Sequence, residues 1–160
     1  MVRLLGLVAG LALMVSAADA SPNRELEQQV LVLINQQRAQ GGCEPLVMQS
    51  QLRAAAAGHA NAMAAKNFFG HASKNGAKFS SRIKAQGYSG HKYAENIAAG
   101  YASAEKVVAI WMNSHGHRVN IMNCAYTETG IALAYQEDDA PLPGSDYPMH
   151  YYWVQEFAKP

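Results

Sequence analysis

His71, Glu95 and His117 are the residues of this chain whose types best suit chemistry. They sit in three polar spots: Phe68-Phe69-Gly70-His71, Ala94-Glu95-Asn96-Ile97, and the stretch Trp111–Cys124, WMNSHGHRVNIMNC. If they converge, two neutral imidazoles and one carboxylate make a divalent-metal site with an open position. The same groups would serve as acid and base if the carboxylate orients one of the histidines. Separations of 24 and 22 residues do not by themselves force the three together. His115-Gly116-His117 is the tighter local feature, because residues two apart in extended backbone share a face. His115 alternatively suits the end of the preceding helix, where a cation is favourable. Ser114, one turn beyond Ile110, is expected to reach the same cleft. No nucleophile-elbow glycine pattern surrounds it, which argues against a serine hydrolase.

The elements that would position these groups are legible in order. Ser21-Pro22 opens a helix with a capping hydroxyl and a proline at the first helical position. Leu26, Val30, Leu33 and Ile34 continue it at helical spacing, and Gly41-Gly42 stop it. Cys43-Glu44-Pro45 is a connector, and Ser50 is read as the cap of a second helix running to about Ala65. Its inward stripe is Leu52, Ala56, His59 and Met63, and its many alanines imply close approach of a neighbour. His59 on that stripe reads as a buried neutral histidine holding one or two hydrogen bonds. Residues 66–79 are a loop, Ser80–Gln86 a short helix ended by Gly87, and Tyr88–Gly100 an irregular segment. Ser103 caps a helix with Glu105 in its first turn and Val107, Ile110 and Trp111 on its buried face. Thr129–Gln136 and Met149–Phe157 alternate as half-buried strands, joined by a loop whose Glu137-Asp138-Asp139 reads as solvated. About four helices and at least two antiparallel strands give an α+β protein.

Bulk properties narrow the class. Arg3, the uncharged run Leu4–Val15 and the small-x-small pattern Ala18-Asp19-Ala20 form a signal peptide over residues 1–20. That leaves 21–160 as a single domain, expected to be soluble and exported to the periplasm or beyond the cell. No stretch approaches the roughly 20 apolar residues of a transmembrane helix. A net charge of +1 with scattered charges excludes a nucleic-acid binder or an electrostatic membrane binder. Cys43 and Cys124 are the two cysteines. In an oxidising compartment one disulfide between them is expected, the alternative being two buried thiols.

The segments LVLINQQRA (31–39), HANAMA (59–64), FFGHAS (68–73), AENIAAGY (94–101), WMNSHGHRVNIMN (111–123), YTETGIALAY (126–135) and YYWVQEFA (151–158) together resemble the CAP superfamily. This is the group of cysteine-rich secretory, antigen 5 and pathogenesis-related 1 proteins, and the likeness is to its bacterial SCP-like branch. The resemblance implies a three-layer α-β-α sandwich with a small antiparallel sheet and a central cleft bearing two histidines and two acids. By motif these are His71, Glu95 and His117, with the second acid of many eukaryotic members falling on Ser114. His115 stands where bacterial relatives usually have proline, which adds a third imidazole near the cleft.

Two functions follow from the resemblance. One is a secreted, monomeric binding module. Its His71 and His117 would coordinate a divalent metal, most naturally zinc, while Glu95, Asn96, Ser114 and His115 line or support the cleft. A small apolar ligand, a sterol or fatty acid, would be its partner. The other is a metal-assisted, protease-like hydrolase, and an interaction domain with an idle cleft is a further alternative. The absence of an activated nucleophile favours binding over catalysis. Since imidazole must be neutral to coordinate, metal affinity is expected to fall as pH drops through about 6.5.

Overall fold

The computed structural model describes residues 21–160, so the signal-peptide reading of residues 1–20 lies outside the described residues. Helix α1 (Pro22–Gln40) begins as expected, with the Ser21 hydroxyl accepting from the Arg24 N–H and proline in the first turn. Gly42 beyond its end takes a positive φ of 73°. The short strand β1 (Val47–Met48) leads into α2 (Ser50–Ala65). The cap of α2 is Gln49 rather than Ser50, its side-chain oxygen accepting from the Gln51 and Leu52 N–H groups. After α3 (Phe79–Ala85) come β2 (Lys92–Ala99), α4 (Ala104–Asn113), α5 (His115–Ile121), β3 (Glu128–Tyr135) and β4 (Tyr151–Lys159). Ser103 caps α4 through the Lys106 N–H.

Two elements correct the sequence reading. Residues 92–99 are a strand, not an irregular segment, and residues 115–121 are a helix rather than an extended corner. The sheet order is β1-β3-β4-β2, with β3, β4 and β2 antiparallel and β1 joined in parallel to β3.

Helices cover both faces, so β3 and β4 are buried on both sides rather than half-buried. Ile131, Leu133, Trp153 and Phe157 face α1, α4 and α5 in one core. Ala132, Ala134, Tyr152 and Val154 face α2 in the other. The alanines expected to permit close approach do so: Ala56 and Ala60 are fully buried against the sheet. At Gly130 the approach is closest, and an added Cβ would lie 2.1 Å from the Leu52 carbonyl carbon. Ile110, expected in the core, is 39% exposed; the buried stripe of α4 is Ala104, Val107, Val108 and Trp111.

Polar groups fasten the layers. Buried Glu27 on α1 pairs with Arg53 on α2 at 2.7 Å and accepts from the Leu133 N–H. Arg38, fully buried, donates to the carbonyls of Glu44, Ile121, Asn123 and Tyr126. It thus ties the end of α1 to the end of α5. Beside it, Cys43 and Cys124 form the expected disulfide across 81 residues, worth about 4–5 kcal/mol on the chain-entropy view.

Gly130→Ala is expected to lower stability by about 1–3 kcal/mol, because backbone rather than a flexible side chain must yield. Gly116→Ala in α5, where an added Cβ meets nothing within 4 Å, should instead be neutral or stabilising by up to about 1 kcal/mol. Chemical denaturation of both variants compares them directly. Arg38→Met is expected to cost more than either, about 3–5 kcal/mol, since four carbonyls lose their donor at once.

Candidate functional site

Glu95 stands in the middle of β2, its side chain fully buried. Its Oε1 lies 2.7 Å from Nδ1 of His71, and its Oε2 pairs with the Arg82 guanidinium on α3. Because a carboxylate accepts, the hydrogen between them sits on Nδ1 of His71, which leaves Nε2 with a lone pair whenever the ring is neutral. The His71 side chain is 55% exposed, so that lone pair is open to a ligand. Arg82 also grips the loop that carries His71, donating to the His71 carbonyl (2.9 Å), the Ser73 hydroxyl (3.2 Å) and the Ala77 carbonyl (3.2 Å). His59 on α2 holds the other end of this loop through Nε2 and the Gly70 carbonyl, 2.8 Å apart. Burial pushes the His59 pKa down, which fits the neutral, buried histidine expected.

His117 approaches from the other side, on α5. The Asn96 side chain donates to its carbonyl (3.2 Å) and accepts from Asn120 (2.9 Å), which fastens α5 to β2. Nδ1 of His117 is buried without a hydrogen-bond partner among the described residues. Desolvation lowers its pKa, and His71 is close enough to lower it further. The structure therefore brings His71, Glu95, Asn96 and His117 to one region.

It does not treat His115 and Ser114 alike. Successive helical residues are rotated by about 100°, so His115 and His117 point apart instead of sharing a face. His115 is exposed. It opens α5 instead of capping the end of α4. Ser114 stands between α4 and α5 at the N-cap of α5, its hydroxyl making no cap hydrogen bond.

Two participants escaped the sequence reading. Arg82 is one. The other is Glu156 on β4, directly across from Glu95 in the strand register and fully buried. Burial first, and then the charge of Glu95, push the Glu156 carboxyl well above the usual carboxylate range; Arg82, 3.9 Å away, opposes this only in part. Among the described residues neither Glu156 oxygen has a hydrogen-bond donor, so a hydrogen shared with Glu95 is Glu156's own. The signal was an acid inside the apolar run YYWVQEFA, easily read as pointing to solvent. Asp139 is a related correction. It is buried and accepts from the N–H groups of Met149 and His150 and from the Tyr152 hydroxyl. It therefore closes the base of the 140–150 loop instead of lying in solvent.

That loop walls an apolar cavity of about 240 Å³ beside His117, lined among others by Ile97, Ile110, Trp111, Leu142 and Met149. Among the described residues, no three His, Cys, Asp or Glu side chains gather to hold a metal ion. The donors on offer are two imidazoles, one of them oriented by a carboxylate.

This fold and cleft belong to a known class. The model of the cysteine-rich secretory protein family, CAP, matches residues 31–157, and the chain belongs to that family. It is 37% identical over 105 residues to the Bacillus subtilis protein YkwD, a stretch covering 66% of this chain and 41% of that protein. An extracellular protein with an SCP domain from Bacillus anthracis superposes with a TM-score of 0.72 at 24% identity, covering 86% of this chain and 41% of that one. An outer surface protein of Borrelia burgdorferi gives 0.73 at 20% identity, covering 84% and 92%. These likenesses establish the fold. The chain spans about two fifths of YkwD and of the Bacillus anthracis protein. No helix among the described residues is long and apolar enough to cross a membrane.

Glu156→Gln removes a carboxyl that resists ionisation while keeping a donor toward Glu95. A group with a raised folded pKa gives its full stability below its unfolded value and loses it as pH rises through the folded one. The variant should therefore gain over the parent as pH rises, melting about 2–4 °C higher at pH 8 for each ~1 kcal/mol relieved. The gap should close by about pH 4.5. Thermal melts across that range check it.

Proposed function

We propose that this is an exported CAP-domain binding module in which His71 and His117 hold a divalent metal, zinc by preference, beside a cavity for a small apolar ligand. The observation that carries the reading is the Glu95–His71 hydrogen bond at 2.7 Å. A carboxylate behind an imidazole fixes its tautomer and raises its basicity, as outer-shell partners of metal-bound histidines do. The His117 ring, which α5 brings near enough to His71 for the two to interact electrostatically, would be the second donor. Two protein ligands leave the remaining positions to water or to a ligand. A bound metal would supply Lewis acidity there. His71 and His117 would hold it, Glu95 would keep His71 in register, and Arg82 would hold the Glu95 carboxylate in place. The disulfide and the extracellular or surface origin of the structural relatives support export. The apolar walls beside His117 support a sterol-like or fatty-acyl ligand.

Calorimetric titration of zinc into residues 21–160 at pH 7.5 tests the metal centre. Binding at one site is expected, lost in both His71→Ala and His117→Ala and weakened about 10–100-fold in Glu95→Gln. No binding, or binding untouched by the histidine substitutions, would overturn the metal and leave a metal-free groove.

A further inference from the structure

The cavity beside His117 is one limb of a longer trough whose character changes along its length. A middle compartment of about 460 Å³ shares Phe69, Leu142 and Met149 with the inner limb. It shares Phe68 and Lys74 with an outer pocket, also of about 460 Å³. The inner limb is apolar apart from His117, and its rim leaves Ile110 39% and Phe69 45% exposed. The outer pocket is basic: Lys66, Lys74 and Arg82 line it with Ser73 and Asn75, and no acid does. Arg82 is matched by Glu95, while Lys66 and Lys74 have no ion pair among the described residues. The Lys74 ammonium lies 5.3 Å over the Phe68 ring, at the boundary between the basic and mixed compartments.

We infer that the trough binds a single-chain alkyl phosphate, its phosphate monoester between Lys66 and Lys74 and its chain running past Phe69 into the limb beside His117. A phosphate monoester carries about −1.5 to −2 charges at pH 7 and three acceptor oxygens. Two unpaired ammonium groups supply matching charge, and lysine serves phosphate as a point charge. The Ser73 hydroxyl and Asn75 amide add neutral donors. A carboxylate head would leave one lysine unmatched. At the other end, apolar walls continuous with exposed Phe69 and Ile110 match an alkyl chain, and such patches on a surface mark sites of contact. The inference rests on the apolar-ligand reading of the inner limb and is independent of the metal.

The test uses residues 21–160 and three probes, decyl phosphate below its micelle concentration, decanol and inorganic phosphate, titrated by intrinsic tryptophan fluorescence and calorimetry. Decyl phosphate is expected to bind at least tenfold more tightly than decanol, and less tightly as salt rises. The double variant Lys66→Ala/Lys74→Ala should lose that advantage and keep decanol binding. Ile110→Asp should weaken decyl phosphate and decanol alike and spare inorganic phosphate. Equal affinity for decyl phosphate and decanol, or an advantage that survives the double variant, would overturn the headgroup site and leave the apolar limb standing. Binding of neither alkyl probe would overturn both. Inorganic phosphate binding as tightly as decyl phosphate would overturn the single trough-spanning ligand.

Discussion

Strand β2 lies at the open edge of the sheet, and its outward backbone carbonyls need donors that no neighbouring strand supplies. An unpaired edge invites aggregation, and buried carbonyls without partners are costly. Here three side chains meet the need at a two-residue step. The Tyr126 hydroxyl donates to the Tyr93 carbonyl, Asn120 to Glu95 and the Trp111 indole to Ile97. All three come from Trp111–Tyr126, and that requirement draws α5 against the strand. His117 lies between two of these donors in the chain, so covering the edge is also what carries it toward Glu95. Arg38 secures the far end of the same arrangement. Its four carbonyl acceptors include Ile121 at the end of α5 and Tyr126 just beyond.

The electrostatics of the cleft follow from which carboxyl is ionised. Two acids face each other across β2 and β4 with one guanidinium beside them. Like charges so close cannot both be ionised without cost, and the pair divides by hydrogen bonding. Glu95 receives His71 and Arg82, whereas Glu156 receives no donor. Glu95 is therefore the carboxyl with charge-stabilising partners, while burial and the charge of Glu95 push Glu156 behind it toward its neutral form. This favours the tautomer of His71 whose Nε2 faces outward.

What could be read from the sequence was what local rules govern. Ser21 and Ser103 act as the caps they resemble, and the His59 stripe of α2 is buried as its spacing requires. The cysteines pair. The missed strand and the missed acids share a cause, which is burial, while the missed helix has another. KYAENIAA does not alternate because helices cover both faces of β2, so a period-two signal is absent. Glu156 and Asp139 read as solvated because acids usually are; only the cross-strand register places one against Glu95 and the loop geometry the other under Met149. HGHRVNI is seven residues of modest helix propensity, and its helical form depends on tertiary anchors, Asn96 and Asn120 among them. That single difference also decides His115, which an extended backbone would have aimed beside His117.

The placement of the second acid bears on whether the cleft binds or cleaves. An acid at position 114 would stand where α4 passes into α5, the segment that carries His117 to the cleft. Ser114 removes it, and the second carboxyl found here, Glu156, comes from β4 and is sealed beneath Glu95. A buried acid of that kind orients the groups above it but cannot reach a substrate. The open side is left with the His71 Nε2, the His117 ring and apolar walls. Those are groups that ligate and enclose, and the His71 imidazole oriented by Glu95 is also the acid–base arrangement that the sequence offered.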